Sequence, residues 1–172
     1  MKKSVLIFGL ILGAVLCINM IYTVNLCYSD FDFKSNDVIG YASMVVILSL
    51  IFFGVKNYRN KQLNGFISFK EALKTGALIA VIASTIYVAV WLFYYYLFVP
   101  DFLDHYIPHV LKETPATELA TKTQEMANFK EMYKNPFFVV LITYAEVLPL
   151  GLIVSLVSAL ILKKKTIKNT IG

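Results

Sequence analysis

The stretch Phe137 to Leu162, FFVVLITYAEVLPLGLIVSLVSALIL, holds a single charged residue, Glu146, near its middle. A bilayer core takes about 20 apolar residues per helix, so this run is long enough to cross one. Three more apolar runs precede it, giving candidate spans at about 4–28, 38–55 and 73–99 before the last at 137–162. The fold class expected is therefore an all-α membrane protein, a single four-helix transmembrane domain over 1–172. Composition agrees, with 58% hydrophobic residues and a mean hydropathy of +0.68. Both exceed what an ordinary soluble domain carries.

The N-terminal Met1-Lys2-Lys3 and the apolar run from Val5 have the outline of a secretory signal. The run reaches about Leu26, however, without a small-x-small cleavage site, and Leu16 before Cys17 does not fit a lipoprotein site. An uncleaved first helix is expected. Cys17 and Cys27 would sit roughly 15 Å apart along it at about 1.5 Å per residue, too far to form a disulfide.

Charge sets the expected orientation. The N-terminus, the 56–74 segment and the C-terminal tail hold eleven of the sixteen Lys and Arg residues. The segments around 29–37 and 100–136 hold the other five. This alternation predicts cytoplasmic termini and an extracytoplasmic 100–136 segment. The net charge of +5 thus reads as topology and lipid-headgroup contact, and nucleic acid is not an expected partner.

Local signals mark the joints. Asn64-Gly65 predicts a turn, and Ser68 with Glu71 has capping-box spacing, starting the third helix near Phe69. At its far end WLFYYYLF, 91–98, reads as an aromatic belt at headgroup level rather than a ligand cage. Between 100 and 136, Thr117–Lys134 reads as a helix with Leu119, Met126, Phe129 and Tyr133 near one face. That face should rest on the membrane or cap the bundle. Asn135-Pro136 ends it and begins the last span.

Glu146 is the foremost candidate for chemistry. A charge at mid-bilayer costs about 2.5–3.5 kcal/mol on insertion scales, which favours a neutral carboxyl facing the bundle interior. Pro149 withholds a donor from the Ala145 carbonyl, freeing backbone polarity beside it. Asn19, Asn25, Thr143 and Tyr144 are the side chains expected to complete a polar pocket. Two roles stay open: a proton, cation or polar-headgroup site, and a hydrogen-bonded carboxyl that fixes helix register.

Rows of small residues permit close helix contact where lipid supplies no hydrophobic drive. Gly9 and Gly13 form a GxxxG pair in the first span. Gly76, Ala80 and Ser84 recur every four residues in the third, as do Gly151, Ser155 and Ala159 in the fourth. Packing within the chain is the default, and a homo-oligomer interface the alternative. Asp101, Asp104, His105 and His109 are the one cluster with metal-ligand types. Pro108 argues against a shared helix face, so a solvated loop is expected, with no metal or other cofactor. HExxH, GxSxG, P-loop and dinucleotide fingerprints are all absent, and an enzyme is not expected.

Several blocks together resemble the bacterial membrane proteins grouped as domain of unknown function 4199. They are the Lys-Lys start, LSLIFFGVKNYRN at 48–60, GFISFKEALKTG at 65–76, ASTIYV at 83–88, FKEMYKNPFFVV at 129–140 and LPLGLIVSLVSALILKKK at 148–165. The resemblance runs over nearly the whole chain and implies a Gram-negative inner-membrane protein, typically from Bacteroidota. It implies no activity, cofactor or catalytic residue. The leading functional expectation is a non-enzymatic scaffold or accessory subunit that packs with itself or with an envelope complex. The alternative is a small oligomeric transporter or channel for protons, cations or a lipid-linked solute, using Glu146.

Overall fold

The computed structural model describes residues 2–29 and 37–164. The acidic residues Asp30 and Asp32, with Lys34, and the tail residues Lys165 and Lys168 lie outside them. Seven helices make up the described residues: α1 (Lys2–Ser29), α2 (Asp37–Leu48), α3 (Leu50–Gln62), α4 (Phe69–Leu97), α5 (Phe102–Glu113), α6 (Leu119–Met132) and α7 (Pro136–Leu162). Four segments are long and apolar enough to cross a membrane: Lys3–Ser29, Ile39–Gln62, Phe69–Leu97 and Pro136–Leu162.

The second of these is α2 and α3 in series, interrupted at Ser49. There the Ser49 amide donates to both the Val45 and Val46 carbonyls, and the Phe52 amide reaches back to the Ser49 carbonyl. This tightened turn leaves α2 and α3 as separate helices. The helical run also outlasts the apolar stretch expected at 38–55. Arg59 and Lys61 occupy the last turn of α3, where positive charge complements the C-terminal end of the helix dipole.

The helix α4 is the axis of the bundle, packed along its length against α7 on one side and α1 on another. Its seam with α7 is made by the two small-residue rows. A β-carbon placed on Gly76 would lie 2.9 Å from Ser155 Cβ, and one on Gly151 would lie 2.9 Å from Ala80 Cβ. Ala80, Ser84, Ser155 and Ala159 have no exposed surface. The glycines of α1 serve the other face: Gly9 abuts Ile82 and Gly13 abuts Ile86 of α4. All three rows are thus in contact within the chain. Ser155 satisfies its hydroxyl on the Gly151 carbonyl at 2.7 Å and Thr75 on that of Glu71 at 2.8 Å. The buried Ser84 hydroxyl finds no such acceptor among the described residues, and we have no structural account of it.

One end of the bundle is basic and tied by polar contacts. Asn64 and Gly65 both take positive φ, 51° and 86°, which Asn and Gly tolerate best, and so make the expected turn. Ser68 caps α4 by accepting from the Glu71 amide at 3.2 Å. The Glu71 carboxylate accepts from the Tyr58 hydroxyl at 3.1 Å, which fastens α3 to α4. Ile67 and Lys164 exchange two backbone hydrogen bonds, Arg59 donates to the Leu162 carbonyl, and Gln62 donates to Ser4. The start of α1 and the end of α7 therefore share this end with the 63–68 loop.

The opposite end carries an α5–α6 hairpin. Residues 102–113, read from sequence as a solvated loop around Pro108, form a helix. Leu103, Tyr106, Ile107 and Val110 lie on one side of it, with Leu103 and Val110 buried. Burying that stripe outweighs the one backbone bond Pro108 cannot make. The helix α6 lies close to its expected position and has no fully buried residue. Asn135 accepts from the Phe137 amide at 3.0 Å, with Pro136 in the first turn of α7, as the Asn-Pro pair predicts.

The seam makes a clear forecast. Gly76→Ala and Gly151→Ala should each destabilise the protein by about 1–3 kcal/mol through overpacking, lowering the thermal midpoint in detergent. Gly40→Ala, whose methyl would meet nothing within 4 Å, should stay within about 1 kcal/mol of the wild type. Equal midpoints for all three would contradict the close approach of α4 and α7.

Candidate functional site

The α4 helix changes character along its length. The small row at 76, 80 and 84 gives way to Tyr87, Trp91 and Tyr95, all buried. Bulky rings cannot allow the close approach that glycine and alanine do. Beside Tyr87 and Trp91 lies a cavity of about 240 Å³.

Each surrounding helix contributes residues three or four apart, on one face. From α1 come Asn19 and Thr23, beside Met20 and Val24; from α2, Gly40 and Met44, with Ser43. The α4 contribution is Tyr87 and Trp91, that of α5 is Phe102 and Tyr106, and Phe129 and Tyr133 come from the α6 end. Thr143 and Glu146 of α7 complete it. A smaller opening of about 170 Å³, bounded by Gly40, Tyr41, Met44 and Tyr106, also reaches Glu146.

Rings in mutual contact border the cavity. Tyr106 stacks on Phe102 at 5.5 Å between centroids, Phe102 meets Trp91 edge-on at 5.4 Å, and Trp91 lies 5.7 Å from Tyr95. Tyr95 meets Tyr133 edge-on at 5.2 Å, and Tyr133 lies 4.5 Å from Phe129. Tilted and edge-on pairs at these separations are mutually attractive, so the chain of rings binds α5, α4 and α6 into one wall. Burial holds the Tyr133 phenol in its protonated form, and the neighbouring Glu146 carboxyl reinforces this. Its backbone carbonyl accepts from the Tyr96 hydroxyl at 2.9 Å.

Of the residues singled out from sequence, Glu146 and Asn19 meet in the cavity with Thr143. Asn25, Tyr144 and Pro149 do not line it. Tyr144 lies two residues from Glu146, about 200° around the helix, and donates to Thr85 of α4 at 2.8 Å. Asn25 and Pro149 are exposed. The aromatic segment 91–98 is divided: Phe93, Leu97 and Phe98 face outward, as a belt requires, but Trp91 and Tyr95 face inward with 7% exposure each. Thr23, Ser43, Tyr87, Phe102 and Tyr106 were not singled out. The signal that could have found them is the four-residue spacing of polar or aromatic pairs on helices ending at the same side.

The His and Asp cluster at the start of α5 is a clasp between helices. Tyr28 donates to Asp101 at 2.7 Å, His105 lies 3.2 Å from the same carboxylate, and the Tyr28 and His105 rings are 4.3 Å apart. Asp104 pairs instead with Lys130 of α6. Among the described residues no group of three His, Cys, Asp or Glu side chains is placed to hold a metal ion.

These features define a helical protein with four membrane-length helices and a polar, aromatic-walled cavity near one end. The family model described as "Protein of unknown function (DUF4199)" matches residues 5–164, and the chain belongs to that family. Neither curated proteins nor solved structures gave a match.

The clasp is pH-sensitive in a defined sense. Donation from Tyr28, ahead of the contribution of His105, holds the Asp101 carboxyl below its ordinary value of 3.8. A carboxyl lowered by folding stabilises the fold above 3.8, and that contribution is lost as the pH falls through the folded-state value. Tyr28→Phe should move the Asp101 midpoint up toward 3.8 when followed by NMR of the carboxyl carbon. An unmoved midpoint would mean the phenol does not donate to it.

Proposed function

We propose that this is a multi-pass inner-membrane protein that captures a small solute in the Glu146 cavity from the extracytoplasmic side. The excess of Lys and Arg at the end shared by α1, the 63–68 loop and α7 supports cytoplasmic termini. The α5–α6 hairpin and the cavity mouth are then extracytoplasmic. The observation that carries the reading is a carboxyl within a membrane-length helix lining open space beside Asn19 and Thr143. A carboxyl kept for helix register alone has no need of a cavity.

The cavity supports capture rather than an open pore. Toward the basic end the helices close on residues with essentially no exposure: Thr75, Ile79, Ala80, Ser155 and Ala159. Any passage across the membrane would need a rearrangement, so the geometry fits a receptor, or one state of a carrier, better than a channel. A scaffold reading draws on the small-residue rows and on the amphipathic 117–134 segment, and the rows are in contact within the chain. A scaffold would have to present α6 or the outer faces of α1, α2 and α7 instead.

Cysteine accessibility tests both the topology and the cavity. With Cys17 and Cys27 replaced by serine, Thr23→Cys and Ser43→Cys should react with a membrane-impermeant thiol reagent applied from the extracytoplasmic side. Ser155→Cys should stay unreacted from either side. Labelling of Thr23→Cys only from the cytoplasmic side would invert the topology, and no labelling at either cavity position would remove the site.

A further inference from the structure

The cavity's chemistry is narrower than that of a general polar pocket. It combines one carboxyl, Glu146, with walls built largely from rings, among them Tyr87, Trp91, Tyr106 and Tyr133, and its described lining includes no Lys, Arg or His. Resting on the capture reading above, we propose that the cavity binds an organic ammonium group, with Glu146 as counter-charge and the aromatic rings as its cage.

Alternatives by chemical class fit less well. An anion would meet the Glu146 carboxyl and no cationic side chain of the lining. A bare divalent metal asks for about six or more oxygen ligands, and no suitable group of three side chains exists among the described residues. A purely apolar ligand would bring a surface that cannot hydrogen-bond against the Glu146 carboxyl and the Asn19 side chain. An ammonium suits both kinds of wall. The negative faces of Trp and Tyr rings attract a cation within about 6 Å, and a carboxylate supplies the full charge. The cation in turn lets Glu146 ionise at a depth where an isolated carboxylate is costly.

Size narrows the ligand further. Sites for drug-sized ligands measure about 300–1,000 Å³, whereas this cavity measures about 240 Å³. That volume suits a small amine or the headgroup alone of an aminophospholipid. The second opening, beside Gly40 and Tyr41, gives a headgroup a lateral way to Glu146. The shared chemistry is the ammonium, and its source is for experiment to decide.

Trp91 is the chain's only tryptophan and lines the cavity, so intrinsic emission reports on the site directly. The full-length protein would be placed in phosphatidylglycerol nanodiscs and titrated with choline, with ethanolamine and with 3,3-dimethylbutan-1-ol. The last has the shape of choline with carbon in place of the charged nitrogen. A saturable emission change is expected with a free amine, or on adding phosphatidylethanolamine to the discs, and not with the neutral alcohol. A response to free amine assigns a soluble ligand, and a response confined to the lipid assigns a headgroup.

Glu146→Gln should weaken the response at least about tenfold, and Tyr106→Leu, at the edge of the cavity, several-fold. Both variants would first be required to match the wild-type thermal midpoint and elution volume; if either fails, Ser43→Leu, which fills the cavity from α2, replaces it. Equal responses to choline and its neutral analogue, or no effect of Glu146→Gln, would overturn the ammonium assignment. No response at all while Thr23→Cys is labelled would overturn it too and leave the capture reading standing. Failure of that labelling would sink the capture reading itself.

Discussion

The close approach of α4 and α7 is the contact on which the remaining geometry depends. In a bilayer there is no hydrophobic gain from bringing two apolar helices together, so association rests on van der Waals packing and local polar contacts. Gly76 and Gly151 bring each backbone to within contact of Ser155 and Ala80 on the other helix. Toward the far end the inward positions of α4 become Tyr87, Trp91 and Tyr95. The same face thus runs from the smallest side chains to the largest, and the close contact with α7 lies at its small end. The cavity lies beside its large end. Its position at the less basic end follows from which half of α4 carries the rings.

Polar contacts fasten the two ends separately. At the basic end Tyr58 to Glu71, Arg59 to Leu162 and the paired backbone bonds of Ile67 and Lys164 join α3, α4 and α7. At the other end the Tyr28–Asp101 bond and the chain of rings from Tyr106 to Phe129 join α1, α4, α5 and α6. Between them lies a packed, largely apolar interior. The buried Thr75, Thr143 and Ser155 donate to the carbonyl four residues back, which satisfies hydroxyls within their own helix. Glu146 cannot be satisfied in that way by a carbonyl unless it is protonated, and this sets it apart from every other polar group on α7.

Local signals in the sequence were read accurately where a single residue type dictates a backbone state. Asn64-Gly65, Ser68 and Asn135-Pro136 each produced the turn or cap expected of them, because positive φ and free helix-end amides admit few residue types. Hydropathy located the membrane-length helices for the same kind of reason: about 20 apolar residues in a row have few other uses. Pro108 pointed instead to a solvated loop where α5 stands; there the one lost backbone bond is outweighed by the burial of Leu103 and Val110. The inward turn of Trp91 was hidden as well. A Trp-Tyr segment near a span end suits the headgroup region equally well on either face, and only the partners on α5 and α6 decide between them. Glu146 and Asn19 were legible as polar groups within apolar runs. Their companions were not, since one Thr or Tyr carries no such anomaly.

The helix α2 is buried unevenly along its length. Ile39, Tyr41, Val45 and Val46 are exposed, whereas Leu48 and Ile51 on either side of the Ser49 turn have no exposed surface. The anchor of this wall is therefore its lower end, beside the α4–α7 seam, where Leu48 lies 3.7 Å from the site of a β-carbon on Gly151. Gly40, Ser43 and Met44, which face the cavity, stand above that anchor. Leu48 is the one buried side chain among the described residues of α2, so the contact of this wall with the seam is concentrated next to the Ser49 turn. The rings of α4, the carboxyl of α7 and the upper turns of α2 thus meet at the cavity, while the small-residue seam beyond Leu48 stays closed.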